Sequence, residues 1–305
     1  MNTTKRNDQE TIKKTVTPYR QTAETAGQTG SEGELRIGGH IFKRQNKTYV
    51  MGILNLTPDS FSDGGKWMDA DAALRRVETM LAEGMDILDV GGESTRPGYT
   101  RITAAEEIER TAPVIERIKA CFDVPVSLDT YKAQVARAGI AAGADLVNDI
   151  WGLKYDPDMA KVIADSGVPC CLMHNRNEAV YREFMEEVKA DLAESLAIAE
   201  RAGIARRKIL LDPGVGFGKT YEQNLSVLQN LAQIKSQFTC PILLGCSRKS
   251  VIGLTLDVPV AERLPGTLAT TVYAVMQGCM FVRVHDIREN VQAVRMTEAI
   301  LHAKR

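Results

Sequence analysis

Between residues 49 and 303 one theme repeats eight times, and it restricts the fold more than any other feature. A short apolar run ends in polar or glycine-rich residues, and an amphipathic helical pattern follows. The apolar runs are 49–54 (YVMGIL), 86–90 (DILDV), 124–128 (VPVSL), 144–147 (ADLV), 168–173 (VPCCLM), 208–211 (KILL), 241–244 (PILL) and 280–284 (MFVRV). The helical patterns lie near 70–83, 103–121, 131–142, 157–166, 180–202, 222–237, 260–277 and 288–303. Gly84, Gly143, Gly167, Gly203 and Gly278 stand just ahead of apolar runs, where a glycine closes the preceding helix. Short buried strands alternating with helices make a parallel sheet. Eight such units predict an α/β fold of the (β/α)8, or TIM-barrel, type. A doubly wound open sheet is the competing arrangement, but no G-x-G-x-x-G follows a strand.

The flanking segments read differently. Residues 1–33 are rich in Thr, Gln, Asn, Lys, Glu and Gly and nearly lack large aliphatics, so a disordered extension is expected ahead of one barrel domain over 34–305. Residues 35–50 (LRIGGHIFKRQNKTYV) hold two short alternating runs around polar turns, a hairpin placed to plug the main domain from below. With 38 basic and 39 acidic residues there is no charge surplus for nucleic acid or an anionic membrane. No apolar run has membrane-spanning length, and the N-terminus lacks an apolar signal core, so a cytoplasmic location is expected. Six cysteines without a CxxC pair read as buried, reduced thiols.

Barrel chemistry sits at the C-terminal strand ends. The first strand ends at Asn55, and the next at Asp89 with Glu93, Thr95 and Arg96 beyond it. Then come Asp129-Thr130, Asn148-Asp149, Met173-His174-Asn175-Arg176, Asp212 with PGVGFGK, Ser247-Arg248-Lys249-Ser250, and Arg283 with His285-Asp286. Any one of these is explained equally well as a cap or a turn. Eight polar ends around one mouth are costly to desolvate unless they face each other or a ligand. Asp129, Asn148 and Asp212 suit a flat heterocycle carrying several N–H donors. Lys249, Arg283 and His285 bring donors for a phosphate-type group, and Asn55 a neutral oxygen for a hard metal such as Mg²⁺. GFGK alone is weak, since it lacks the P-loop spacing. The stretch MGILNLTPDSFSDGG, residues 51–65, places two acids, three hydroxyls and the lone aromatic Phe61 on a strand end, as a ligand-handling loop does.

In order along the chain, NLTPDSFSDGG, DVGGESTRPG, SLDT, NDI, LMH, LLDPGVGFGK, SRKS and RVHD resemble the dihydropteroate synthase family over residues 35–300. That resemblance implies a transferase of folate biosynthesis. It joins 6-hydroxymethyl-7,8-dihydropterin diphosphate to p-aminobenzoate, needs Mg²⁺, is a sulfonamide target and is commonly a homodimer. By the same resemblance, Asp129, Asn148, Met173, Asp212 and Lys249 hold the pterin, and Asn55, Arg283 and His285 the diphosphate. Asn55 also meets the metal. Phe61, Thr95, Arg96, Pro97, Phe217 and Ser250 shape the p-aminobenzoate pocket, with Lys249 at its edge. Asp63, Asp129, Asp212 and Lys249 are the expected catalytic groups. The loops 57–65 and 95–101 are expected to close over the site, with Asp89 supporting the second of them. Two other activities fit parts of the pattern. A methyltransferase passing a methyl group from a folate to a corrinoid protein has no use for SRKS plus RVHD. A Schiff-base aldolase needs a desolvated lysine, Lys249 or Lys219.

Overall fold

The computed structural model describes residues 34–43, 47–57, 70–94 and 101–303. The 1–33 extension, most of the loop 57–65, and 95–100 of the second loop lie outside these residues. The chain opens with an antiparallel hairpin, β1 (Glu34–Ile37) and β2 (His40–Lys43), paired from Glu34 with Lys43 to Ile37 with His40. The expected βα alternation follows: β3 (Tyr49–Asn55), α1 (Ala70–Ala82), β4 (Ile87–Gly91), α2 (Ala104–Cys121), β5 (Val126–Asp129), α3 (Ala133–Ala141), β6 (Leu146–Asp149) and α4 (Met159–Ser166). The second half comprises β7 (Cys170–Met173), α5 (Phe184–Arg201), β8 (Ile209–Asp212), α6 (Tyr221–Gln229), α7 (Leu231–Phe238), β9 (Leu243–Leu244), α8 (Ser250–Leu256), α9 (Leu264–Met276), β10 (Phe281–Val284) and α10 (Ile287–Leu301).

Among the described residues, β3 to β10 form one parallel sheet in the order β8-β7-β6-β5-β4-β3-β10-β9. Its two ends meet where the Leu211 N–H donates to the Pro241 carbonyl at 2.9 Å and Leu211 bridges Ile242. The sheet is therefore a barrel and not an open doubly wound layer.

Strand periodicity explains how the barrel is filled. Side chains alternate between the barrel interior and the helix layer. Val50, Leu88, Val90, Val126, Leu128, Val147, Cys170, Leu172, Ile209, Leu211, Leu244, Val282 and Val284 pack outward with the helices. Met51, Ile87, Leu146, Cys171, Leu210, Leu243 and Phe281 point inward and form one apolar cluster with Leu35, Ile37 and Phe42 of the hairpin. The hairpin thus plugs the N-terminal end of the barrel, as expected. Two residues further along five inward rows the character changes: Ile87 is followed by Asp89, Ser127 by Asp129, Leu146 by Asn148, Leu210 by Asp212 and Phe281 by Arg283, whereas Met51 is followed by Ile53, Cys171 by Met173 and Leu243 by Gly245. One barrel interior therefore carries a dry lower layer and a polar upper layer.

Local signals set the element ends. Thr103 caps α2, its hydroxyl accepting from the Glu106 N–H at 3.2 Å, and Thr220 with Gln223 forms a capping box on α6. Gly167 closes α4 in the left-handed conformation (φ 70°). The pattern 222–237 expected one helix, but Asn230 divides it: the Asn230 side-chain amide donates to the Ser226 carbonyl at 2.8 Å, competing with the helical ladder. The expected helix over 260–277 starts only at Leu264, with Pro265 in its first turn. The seven-residue α8 precedes it, too short to show a helical period.

Phe42 stacks edge-on to Tyr49 with centroids 4.8 Å apart and lies 5.3 Å from the Phe281 ring. Replacing Phe42 by Ala removes the wedge between hairpin and barrel. The expected loss is about 3–5 kcal/mol of unfolding free energy with an unchanged urea m-value, measured by equilibrium denaturation.

Candidate active site

Arg283 on β10 reaches across β3 into the upper interior layer. Its Nε donates to Asp89 Oδ2 on β4 at 2.6 Å and its Nη2 to Asp129 Oδ2 on β5 at 2.7 Å. Ser127 Oγ donates to the other Asp89 oxygen at 2.5 Å, and the Asn148 amide approaches Asp89 Oδ2 at 3.5 Å. Asp89 is completely buried, so its role is to anchor the guanidinium from below. Asp129 Oδ1 is different: among the described residues it is a buried side-chain oxygen with no hydrogen-bond partner. Burial raises the Asp129 carboxyl above the ordinary carboxylate range, and the Arg283 charge opposes that rise. The row holds two carboxylates against one guanidinium and leaves one buried acceptor unclaimed, a place for a donor-rich ligand.

A second pair faces it from β8 and the turn after β9. Asp212 Oδ1 accepts from the Gly214 N–H at 2.7 Å. A β-carbon on Gly245 would meet Asp212 Oδ2 at 3.6 Å, Lys249 Nζ at 3.7 Å and the Arg283 stem at 3.9 Å. The bare glycine leaves open the space on which these three groups converge. Burial raises Asp212 and lowers Lys249, and each opposes the shift of the other. Lys249 Nζ donates to the Val215 carbonyl at 2.6 Å and lies 4.6 Å from the centre of the Phe217 ring. Phe217 in turn packs against a buried cluster of Tyr131, Ile150 and Met173, beside Trp151. The turn carrying Val215 and Phe217 comes this close because of its glycines. At Gly214 (φ +71°) a β-carbon would lie 1.9 Å from the His174 carbonyl oxygen, and at Gly216 (φ +86°) 3.3 Å from the Lys249 side chain.

The structure thus brings together Asp129, Asn148, Met173, Asp212, Phe217, Lys249 and Arg283. Asn55 ends β3 beside them: a β-carbon on Gly91 would meet Asp129 Oδ2 at 3.7 Å and Asn55 Oδ1 at 3.9 Å. His285 is held by Ser247, whose hydroxyl meets Nδ1 at 3.0 Å and the main-chain N–H at 3.2 Å. Ser250 opens α8 and is exposed. Phe61, Asp63, Thr95, Arg96 and Pro97 lie outside the described residues. Asp89 sits beneath Arg283, and the second loop it was expected to support lies largely outside the described residues. Arg248 gives Nε to Asp286 at 2.9 Å and a second donor to the same carboxylate.

Supporting groups surround these residues, and of them Glu93 and Asp89 already stood among the polar strand ends. Glu93 accepts from the Tyr131 hydroxyl at 2.5 Å, from Lys132 at 2.7 Å and from the Ile102 N–H at 2.9 Å, while Lys132 also reaches Glu107 at 2.6 Å. These contacts tie the start of α2 to the ends of β4 and β5. Ser127 and Asp89 were findable by counting two residues along each inward row. Lys132 and Glu107 follow from no such count.

A Mg²⁺ ion would find few protein ligands at this mouth. Among the described residues no group of three or more His, Cys, Asp or Glu is arranged to hold an ion. Asn55 Oδ1 and the Asp129 carboxylate around Gly91 offer few protein oxygens. That suits Mg²⁺, which keeps waters and takes substrate phosphate oxygens more readily than it fills an all-protein cage.

The model of the pterin binding enzyme family matches residues 51–285. The chain is 57% identical over 268 residues to the dihydropteroate synthase of Clostridium beijerinckii, covering 88% of this chain and 99% of that one. Among solved structures, a Clostridium difficile dihydropteroate synthase crystallised in the presence of pteroic acid superposes with a TM-score of 0.81 at 48% identity, covering 85% of this chain and 98% of that one. The Xanthomonas albilineans enzyme with 4-aminobenzoic acid superposes at 0.84 with 39% identity, covering 90% and 100%.

The upper layer has a stability signature. The Asp129 carboxyl lies higher in the fold than its unfolded value of 3.8, so the folded state prefers it protonated and its favourable contribution is lost as pH rises. Asp129→Asn keeps the shape without the charge and leaves Arg283 on Asp89. Denaturation between about pH 4 and pH 8 should therefore show the stability difference shifting in favour of the variant as pH rises.

Proposed function

This chain belongs to the pterin-binding enzyme family, within its dihydropteroate synthases, and from that premise we propose how its barrel mouth performs the family reaction. The enzyme condenses 6-hydroxymethyl-7,8-dihydropterin diphosphate with p-aminobenzoate, giving 7,8-dihydropteroate and diphosphate for folate biosynthesis. The observation that carries the assignment of the pterin site is the buried, unpartnered Asp129 Oδ1 beside the Arg283 pair. A pterin edge presents N–H donors, and an unpaired buried acceptor gains most from such a partner. Asp129, Asn148 and Asp212 line the pterin edge, Met173 packs against the ring, and Lys249 donates from the opposite side. Arg283, with the donors not given to Asp89 and Asp129, and His285, steadied by Ser247, meet the diphosphate. Asn55 Oδ1 would hold Mg²⁺ together with phosphate oxygens and water. When bound, the ion neutralises charge on the leaving group.

The reaction breaks the bond between the pterin methylene and the diphosphate oxygen and forms one from that methylene to the amine nitrogen, which then gives up a proton. The pterin ring can spread positive charge from the methylene as the leaving group departs, so the path is SN1-like. Asp129 and Asp212 stand where that charge spreads, and the family resemblance gives Asp63 the same task. Phe217 and Ser250, with Phe61, Thr95, Arg96 and Pro97, shape the p-aminobenzoate pocket, where a sulfonamide would compete. Exclusion of water by the two loops keeps the amine as the nucleophile. The Schiff-base alternative is disfavoured because Lys249 and Lys219 are both bound to carbonyl oxygens. The six free thiols suit a reducing cytoplasm. Met276 on α9 with Met296 and Ile300 on α10 are exposed and suit pairing as a homodimer.

A diphosphate-release assay tests the function. Release is expected only with both substrates and Mg²⁺ present, and its absence with all three would overturn the assignment. Asn55→Ala should raise the Mg²⁺ concentration for half-maximal rate by about tenfold, the loss of roughly 1.4 kcal/mol of binding. An unchanged Mg²⁺ dependence would remove Asn55 from the metal site.

A further inference from the structure

Behind the mouth, one lysine is enclosed by the turn that follows β8. Lys219 Nζ donates to the Gly214 carbonyl at 2.8 Å, to the Phe217 carbonyl at 3.0 Å and to His174 Nδ1 at 2.7 Å. The side-chain nitrogen thus faces three acceptors, two of them on the 213–218 turn and the third at the end of β7, and as a neutral amine it can still donate to two of them. His174 is itself fixed. Its Nε2 meets Asp191 Oδ2 on α5 at 3.0 Å, which makes Nε2 the protonated nitrogen and leaves Nδ1 to accept from Lys219. Asp191 is in turn forked by Arg176 at 2.7 and 3.1 Å, and Arg176 also reaches Glu187 at 2.8 Å.

The same turn sets two groups of the site. The Val215 carbonyl accepts from Lys249, and Phe217 lies beneath that ammonium. We propose that Lys219 is a positioning residue: by tying the Gly214 and Phe217 carbonyls to His174 it holds the 213–218 turn, and through that turn places Phe217 and Lys249 for the substrates. This rests on the substrate assignment above. It adds a residue that touches no substrate.

The electrostatics give the clamp a pH signature. Lys219 is lowered to about 7, first by burial, with Asp212 opposing and Lys249 adding to the shift. His174 is lowered to about 4, also by burial, so it stays neutral above pH 6. The other charges facing Lys219 are Asp191 on α5 and Arg176 after β7. A turn that swings open releases Lys219 to water, where it regains its usual value of 10.5. Opening therefore takes up a proton, and the closed turn gains on the open one as pH rises from about 7 toward 10.

Hydrogen exchange on the peptide spanning 213–219 tests the clamp without any substrate. In the parent protein, exchange corrected for its intrinsic rate should slow by about tenfold or more between pH 7 and pH 9. Lys219→Met should exchange at least tenfold faster at pH 9 and lose that pH dependence, while Lys219→Arg, which keeps donors, should fall between the two. A parent without the pH dependence, or Lys219→Arg no better protected than Lys219→Met, overturns the clamp. Steady-state kinetics then reads the positioning. In Lys219→Met, KM for p-aminobenzoate should rise about tenfold with kcat changed less than threefold. A fall in kcat alone would mean a plain loss of folded enzyme and overturn the role. Failure of the parent to release diphosphate would instead overturn the proposed function and leave the exchange result standing.

Discussion

A guanidinium held inside the barrel between two carboxylates is the interaction on which the upper half of this molecule depends. Arg283 is bonded to Asp89, 194 residues away in the chain, and to Asp129, 154 residues away. Removing one partner of a buried ion pair is far more costly than never having built it, because the remaining charge has no water to replace its partner. Three strands are thereby held in one arrangement at their C-terminal ends. Ser127 satisfies the far side of Asp89, which leaves Asp129 as the member of the row with an oxygen to spare. The layer below it, from Met51 and Ile87 to Phe281 and the hairpin, is dry and close-packed. Dry packing is concentrated at the bottom of the barrel, and the one unpaired buried acceptor among the described residues lies at the top.

Much of this was legible from the chain because barrel strands impose a period of two. Once Ile87, Leu146, Leu210 and Phe281 are recognised as inward-facing, the positions two residues later are Asp89, Asn148, Asp212 and Arg283, and their shared layer follows without coordinates. The glycines ahead of the apolar runs were equally readable: Gly84, Gly143, Gly167, Gly203 and Gly278 all adopt positive φ. What could not be read was pairing. Arg283 looked like a diphosphate ligand, and only the fold shows two of its donors given to carboxylates. Arg248 and Lys249 are neighbours in sequence, yet one turns to Asp286 and the other to Val215. A left-handed residue at Arg248 (φ 58°) separates their directions, and a non-glycine residue in that conformation has no reliable sequence signal. The division of one predicted helix at Asn230 is likewise a local competition that periodicity does not register.

Two lysines illustrate how similar residues acquire different work. Lys249 and Lys219 are both shifted downward by burial. Lys249 stands at the open space above Gly245 next to Asp212, where it can meet a ligand. Lys219 has its side-chain nitrogen enclosed by the turn and His174, and acts through what it holds. Sequence alone offered either as a reactive amine. The distinction lies in where their hydrogen bonds end.

The claim that Arg283 is held by Asp89 so that Asp129 can serve the pterin is tested most directly by calorimetry on Asp89→Asn. Asp89 is completely buried, its oxygens taken by Arg283 and Ser127. The structure predicts that 6-hydroxymethylpterin binds the folded variant at least about tenfold more weakly than the parent, a change of roughly 1.4 kcal/mol. Equal affinity in a protein of native thermal stability would contradict it.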